Sequence, residues 1–567
     1  MEFLGIYASI IGFAGITASS ILSIPLRHLS YIGRGPAESK AGREEIVRAA
    51  KRELPFFFAA AVAFITPFFV LDSLIPSFVF VIGVAAAIAS VYLAFRIACL
   101  LIGGISVLPG GDYRGGAWGL ARYAGSAAGL LPPGLVLTVA GLLFQFSAVD
   151  NSAAMGSFSV GGALVLFFCV IAAGRSERMR GKSTPALLAT AVSLANTDLL
   201  VSFILSFTSA MIAGSVTGGG YAEWQELPVL FVVAGYLASL AGIAVILFSK
   251  EKAHWSRWIS AGIFIAVAFL LVRKNMAVFS SDDLAEAGML DRSGPFWAVS
   301  LGAVIPLLTG LLIDYYSSPE RVGKAEYLFS RAEGVILPAV FTATAIWMSH
   351  IFAGLYGVAL AALGISGTLS VSAALNIAGR FFRKPGSGGG QGESYLRGMI
   401  HSRRSPDPGR GYVLTSSIFA ASAGCAAYAA TLKEGFRGSP DILPGMAGLI
   451  LGMAAAYLMF SSFLKTGPSW KRIYLPFIMI LLILFAAGFL AGPGITIGFL
   501  AGTVLAGAAT GFLVWHAGSK EAGVRQPGNE PNLFEKHAAD MFSGLFPGVL
   551  IKLIVSVALA AVAIAKF

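Results

Sequence analysis

The chain has 567 residues, of which 56% are hydrophobic and 12% are charged, and its mean hydropathy is +0.79. A soluble domain carries about twice that charged fraction, so the composition excludes an ordinary soluble protein. The formal net charge of +11 comes with basic runs that lack interleaved aromatic side chains on which bases stack. We therefore expect the lipid bilayer, and no nucleic acid, as the partner of this chain.

Long apolar segments separated by short loops follow one another along the whole chain. About 20 apolar residues span a bilayer as a helix. The sequence therefore predicts an all-α polytopic membrane protein with about 16 transmembrane helices, forming a single transmembrane domain over residues 1–567. The predicted helix cores, in chain order, are 3–24, 55–71, 75–103, 117–146, 157–174, 185–214, 227–248, 257–272, 296–316, 334–350, 353–377, 411–431, 441–464, 473–490, 494–515 and 543–566.

The loops between these segments alternate in charge. The odd-numbered loops carry most of the lysines and arginines, whereas the even-numbered loops hold only Arg273, Lys274, Arg292, Lys433 and Arg437. Short loops rich in Lys and Arg stay in the cytoplasm. This bias predicts that both termini lie outside, and it indicates a multi-pass protein of the cell membrane, with a bacterial inner membrane as the default.

Two stretches need an interpretation of their own. The first segment starts at Met1-Glu2 with no basic residue ahead of it, so we interpret it as a retained helix rather than a signal peptide. Residues 384–410 are rich in Gly, Ser, Pro and Arg, which predicts a flexible cytoplasmic loop. Neither stretch suggests a separate soluble domain.

Ionisable residues inside membrane helices are costly, so each is a functional hypothesis. Asp198 is the most informative, because apolar residues flank Asn196-Thr197-Asp198 on both sides. A polar cluster packed between helices is the expected environment for these three residues. Asp282-Asp283-Leu284-Ala285-Glu286 has the DDxxE spacing of a magnesium–diphosphate site, but it falls on a predicted exterior loop and is expected to be a solvated acidic turn.

Several motifs follow one another in order along residues 50–567. They are Arg114-Gly115-Gly116-Ala117, Leu227-Pro228-Val229-Leu230, Ile313-Asp314-Tyr315-Tyr316-Ser317-Ser318, the sequence L-Y-G-V-A-L-A-A-L-G at 355–364, and Leu550-Ile551-Lys552-Leu553. In this order they resemble motifs of the membrane-bound, ion-pumping pyrophosphatases. The resemblance implies the family's fold of 16 helices with both ends outside, and a homodimer that couples pyrophosphate hydrolysis to proton or sodium transport.

The same resemblance implies that the family's acidic site is missing here. Pyrophosphate is highly anionic, so Mg²⁺ ions held by carboxylates must neutralise it. The aspartates that open the family's sixth helix fall near Leu187, Ala191 and Ala195, and its gating carboxylate falls near Leu205. Asn376 and His516 stand at two further aspartate positions, while Lys520 and Lys552 match family lysines.

The sequence therefore favours a divergent member of this family that does not hydrolyse pyrophosphate and acts by binding in the membrane, either to a partner or to a small lipid-soluble ligand. One alternative is a membrane enzyme with altered chemistry on a lipid-soluble or isoprenoid diphosphate substrate; another is a residual proton or sodium pump driven by pyrophosphate. No catalytic residue, metal site or cofactor is predicted, and Mg²⁺ is expected only with a bound diphosphate. The candidate cavity residues are Asp198, Asn376, His516, Lys520 and Lys552.

Overall fold

The described part of the chain is almost entirely helical and contains no strand. The computed structural model describes residues 2–26, 51, 54–62, 65, 74–107, 113–146, 151–176, 184–217, 222–248, 255–280, 284, 289–316, 324–381, 408–433 and 548–561. The main helices are α1 (Glu2–Leu22), α2 (Leu74–Val107), α3 (Tyr113–Phe146), α4 (Asn151–Ser176), α5 (Thr184–Thr217), α6 (Ala222–Phe248), α7 (Trp255–Asn275), α8 (Gly294–Tyr316), α9 (Lys324–Gly364), α10 (Ser366–Phe381), α11 (Pro408–Lys433) and α12 (Gly548–Ala561).

The predicted all-α membrane architecture is confirmed. Within the described ranges, eight helices are long and apolar enough to cross a membrane, so the chain is a multi-pass membrane protein. Three further predicted segments, at 441–464, 473–490 and 494–515, lie outside the described residues. The predicted loop at 384–410 also lies outside them, except that α11 begins at Pro408.

Helix α5 lies at the centre of the bundle. It packs against α2, α4, α9 and α11, and more lightly against α3, α6 and α10. Nearly every side chain described along α5 is buried. A helix that is apolar all round buries every face against its neighbours, and α5 follows that rule. Polar residues on α5 must therefore find partners on other helices.

Helix α7 has the dimensions of a bilayer-spanning helix. Its 21 residues measure about 30 Å along the axis, which matches the hydrocarbon core. Exposed tryptophans, Trp255 and Trp258, stand at its first turn, and the apolar side chains of Ile263 and Leu270 are exposed between that turn and its basic last turn. Tryptophans collect at membrane–water interfaces. This face of α7 therefore suits contact with lipid.

The chain reverses direction inside the range assigned to α9. Gly354 has φ 58° and ψ −150°, a conformation that favours glycine because it has no Cβ. Gly357 packs on the carbonyl of Ser349, eight residues earlier, whereas a continuous helix would separate the two by about 12 Å. The reversal lies at the boundary between the segments predicted at 334–350 and 353–377, and their assignment as two membrane spans stays a prediction.

A second break, at Ile365, separates α9 from α10 within the segment predicted at 353–377. Side chains from two other helices donate hydrogen bonds to carbonyls in the first turn of α10. Ser239 Oγ donates to the carbonyls of Ser366 at 3.3 Å and Gly367 at 3.4 Å, and Ser260 Oγ also donates to Gly367. These bonds join the start of α10 to α6 and α7 beside the break. The sequence prediction gave one segment at 353–377, although Gly364, Ser366 and Gly367 surround this break and such residues are a helix-ending signal.

Candidate functional site: a buried charge cluster between three helices

Asp198 and Lys552 form an ion pair in the interior of the bundle. Asp198 lies on α5, and Lys552 lies 354 residues later on α12; Lys552 Nζ donates to Asp198 Oδ1. Both side chains are fully enclosed, with 1% of Asp198 and 0% of Lys552 exposed. Asp198 stands about 20 Å along α5 from its start at Thr184, so the pair lies deep within the span.

Two serines complete the coordination of the ammonium group. Lys552 Nζ donates to Ser202 Oγ on α5 and to Ser417 Oγ on α11, both at 3.0 Å. Ser417 Oγ in turn donates to Asp198 Oδ2 at 3.4 Å. An ammonium group has three donors, and all three are used here. We call Asp198, Ser202, Ser417 and Lys552 the charge cluster.

The residues of Asn196-Thr197-Asp198 point to different helices. Asn196 Nδ2 donates to the carbonyl of Ala128 on α3 at 3.2 Å. Thr197 Oγ1 lies 3.4 Å from Ser90 Oγ on α2 and donates to the carbonyl of Ser193 on its own helix at 3.0 Å. Asp198 faces α11 and α12. Consecutive helix residues are about 100° apart around the axis, so one short polar motif joins α5 to four neighbours.

Apolar side chains close the three-helix junction beyond the charge cluster. Gly424 on α11 packs against Val555 and Leu559 on α12 and against Leu205 on α5. Leu205 is fully buried, and its position is the one at which the resemblance places a gating carboxylate. At this junction, the described side chains of α5 beyond the charge cluster are therefore neutral.

The structure brings together two of the five candidate cavity residues. Asp198 and Lys552 are in direct contact. Asn376 lies on α10, but its side chain is outside the described part of the structure, as are His516 and Lys520 entirely. Ser202 and Ser417 were not predicted from the sequence. Ser202 follows Asp198 by four residues on one helix face, which was a usable signal, whereas Ser417 is brought close only by the tertiary fold.

The charge cluster is electrically neutral, and all three donors of its ammonium group make hydrogen bonds. Asp198 is the one buried carboxylate among the side chains that the structure describes, and its charge is matched by Lys552. Across the described residues, no group of three or more His, Cys, Asp or Glu side chains could hold a metal ion. The sequence matches no protein-family model. Chemically, this arrangement is best suited to holding three helices together, because a saturated pair leaves little capacity for a divalent cation.

Replacing Ser417 with alanine should lower the free energy of unfolding by about 1 kcal/mol, because Lys552 loses one acceptor and Asp198 one donor. The matched control is Ser206→Ala, since Ser206 is also buried but donates only to the carbonyl of Ser202 on its own helix at 2.8 Å. Thermal unfolding of both variants in detergent measures the difference. Equal melting temperatures for the two variants would show that the bonds of Ser417 do not stabilise the fold.

Proposed function

We propose that this chain is a divergent relative of the membrane-bound pyrophosphatases, with 16 membrane spans and both termini outside, that does not hydrolyse pyrophosphate and acts by binding within the membrane. The observation that carries the proposal is the ion pair between Asp198 and Lys552. Because the carboxylate of Asp198 is paired with Lys552, it is not available to a metal ion. The homodimer that the resemblance implies belongs to the same proposal.

The electrostatic requirement of pyrophosphate supports the loss of hydrolysis. Several Mg²⁺ ions must be held by carboxylates around this substrate. Leu187, Ala191 and Ala195 stand where the resemblance places those carboxylates, and neutral side chains supply no ligand. Removing one partner from a buried charged group costs about 3–5 kcal/mol, so losing several acids together leaves a Mg²⁺–pyrophosphate complex without compensation.

The arrangement of helix ends supports the alternating topology. Arg122 Nη1, near the start of α3, donates to the carbonyl of Leu247 at the end of α6 at 3.0 Å; the charge bias predicts that both ends are cytoplasmic. Leu290 N, ahead of α8, donates to the carbonyl of Phe352 at 3.0 Å, beside the reversal in α9. The connection ahead of α8 and the reversal in α9 are both predicted to lie outside. In each of these two contacts, the neighbouring helix ends are therefore predicted to lie on the same side of the membrane.

We expect no Mg²⁺-dependent release of phosphate from pyrophosphate by the detergent-purified full-length chain above the level of its Lys552→Met variant. In a parallel thermal-unfolding experiment, pyrophosphate with Mg²⁺ should not raise the melting temperature. A ligand at about 100 times its Kd adds about 2.7 kcal/mol of stability, which this measurement detects. Phosphate release by the wild-type chain would overturn the proposal.

The same thermal measurement with isoprenoid diphosphates separates the two modes of binding. Stabilisation by an isoprenoid diphosphate, without stabilisation by pyrophosphate, would identify a lipid-soluble ligand as the bound species. If neither compound stabilises the chain, binding to another membrane protein is the remaining mode. Stabilisation by pyrophosphate would mean that acids outside the described residues complete a metal site.

A further inference from the structure

Basic and aromatic side chains are exposed together where α7 ends and α8 begins. Phe269 and Trp297 are 46% and 48% exposed, although both are large and apolar. Arg273, Lys274 and Arg292 are also exposed. We call these five residues the basic–aromatic patch. It lies outside the charge cluster and plays no part in the function proposed above.

The aromatic side chains form a continuous surface across the two helices. The ring centroids of Phe269 and Phe296 are 5.4 Å apart, and those of Phe296 and Trp297 are 5.1 Å apart. Arg273 follows Phe269 by four residues and therefore lies above it on the same face of α7. Arg292 stands just before the first turn of α8. The cations thus lie at the end of the helices, and the rings lie one turn deeper.

The connection that carries Arg292 is held by hydrogen bonds. Leu290 N donates to the carbonyl of Phe352 at 3.0 Å. Asp291 Oδ1 accepts from Ser293 N at 2.8 Å and from Ser293 Oγ at 2.7 Å. Trp297 Nε1 donates to Ser293 Oγ at 3.1 Å. The polar edge of the indole therefore points toward the cations and the helix end, as expected for a tryptophan at a membrane interface.

The charges in the patch need an explanation beyond local structure. Only Arg273, Lys274, Arg292, Lys433 and Arg437 occupy the even-numbered loops, and three of these five meet here. The helix dipole favours Arg273 and Lys274 in the last turn of α7. It disfavours Arg292 at the start of α8, where the dipole is positive. Among the described residues, none of the three patch cations forms an ion pair.

We propose that the basic–aromatic patch binds an anionic phospholipid, whose phosphate lies against Arg273, Lys274 and Arg292 and whose acyl chains lie along Phe269 and Trp297. Charge complementarity selects the anionic headgroup. The exposed rings below the cations supply the apolar surface that the acyl chains require. A soluble anion would use the cations but would leave the aromatic surface uncovered.

Native mass spectrometry of the detergent-purified full-length chain, mixed with equal amounts of phosphatidylglycerol and phosphatidylcholine, tests this proposal. Wild-type protein should retain phosphatidylglycerol preferentially, and each of Arg273→Gln, Lys274→Gln and Arg292→Gln should weaken that binding by about five-fold. Arg96→Gln, which removes an exposed cation on α2 outside the patch, should leave the preference unchanged. A triple variant that keeps the wild-type preference would overturn the proposal.

Tryptophan fluorescence locates the lipid. The contribution of Trp297, taken as the difference between wild type and Trp297→Phe, should be quenched more by brominated phosphatidylglycerol than by brominated phosphatidylcholine. The triple variant should abolish that difference.

The segment between α7 and α8 also carries Asp282, Asp283 and Glu286. If wild type shows no preference and neutralising these acids creates one, the cations are already neutralised within the chain, and the proposal fails.

Discussion

Replacing Lys552 with methionine should lower the free energy of unfolding by about 3–5 kcal/mol. The reason is that Asp198, which is 1% exposed, would keep its carboxylate in the interior without an opposite charge. Ser202 and Ser417 would lose the ammonium donor that organises their hydroxyl groups. Denaturant or thermal unfolding in detergent measures this loss.

The double variant Asp198→Leu with Lys552→Met distinguishes an ion pair from simple packing. Replacing a whole buried ion pair with apolar residues of similar volume is often neutral or stabilising, so the double variant should be more stable than Lys552→Met alone. Lys51→Met is the matched control, because Lys51 is exposed and its loss should change stability by less than about 0.5 kcal/mol. A double variant as unstable as the single one would contradict the ion-pair interpretation.

Introducing alanine at Gly302 should destabilise the protein, by about 1–3 kcal/mol, despite the better helix propensity of alanine. A Cβ atom at Gly302 on α8 would collide with the backbone carbonyl of Ala361 on α9, and one at Gly364 would collide with the carbonyl of Val299. Backbone atoms in packed helices cannot shift cheaply. Exchanging glycine for alanine in a helix otherwise gains about 1 kcal/mol, so the sign of the change reports the contact between α8 and α9.

Gly262→Ala is the control for that prediction. Gly262 lies on α7, and a Cβ atom there would meet nothing within 4 Å. Its replacement should leave the midpoint of thermal unfolding unchanged or raise it, so the two glycine variants should move in opposite directions. If Gly302→Ala unfolds at or above the wild-type temperature, α8 and α9 are farther apart than the structure places them.

The reversal at Gly354 and the break at Ile365 show how far sequence patterns reach. The reversal falls where the sequence predicts that one segment ends, at 350, and the next begins, at 353. The break at Ile365 was not predicted, although Gly364, Ser366 and Gly367 surround it and such residues are a helix-ending signal. Ser239 and Ser260, whose hydroxyl groups donate to carbonyls beside the break, come from α6 and α7. A hydropathy pattern predicts whether a residue is buried, but it does not predict which residue of another helix contacts it.

By itself, the sequence determined that this is a multi-pass, all-helical membrane protein, because a bilayer requires long apolar segments whose backbone bonds are satisfied internally. It also singled out Asp198 and Lys552, because charges inside such segments are costly. Only the tertiary structure decided that these two residues meet, that Ser417 completes their hydrogen bonds, and that Phe269 on α7 packs against Phe296 on α8. Contacts between Asp198 and Lys552, 354 residues apart, depend on how helices pack around α5, and no local pattern of residues records that packing.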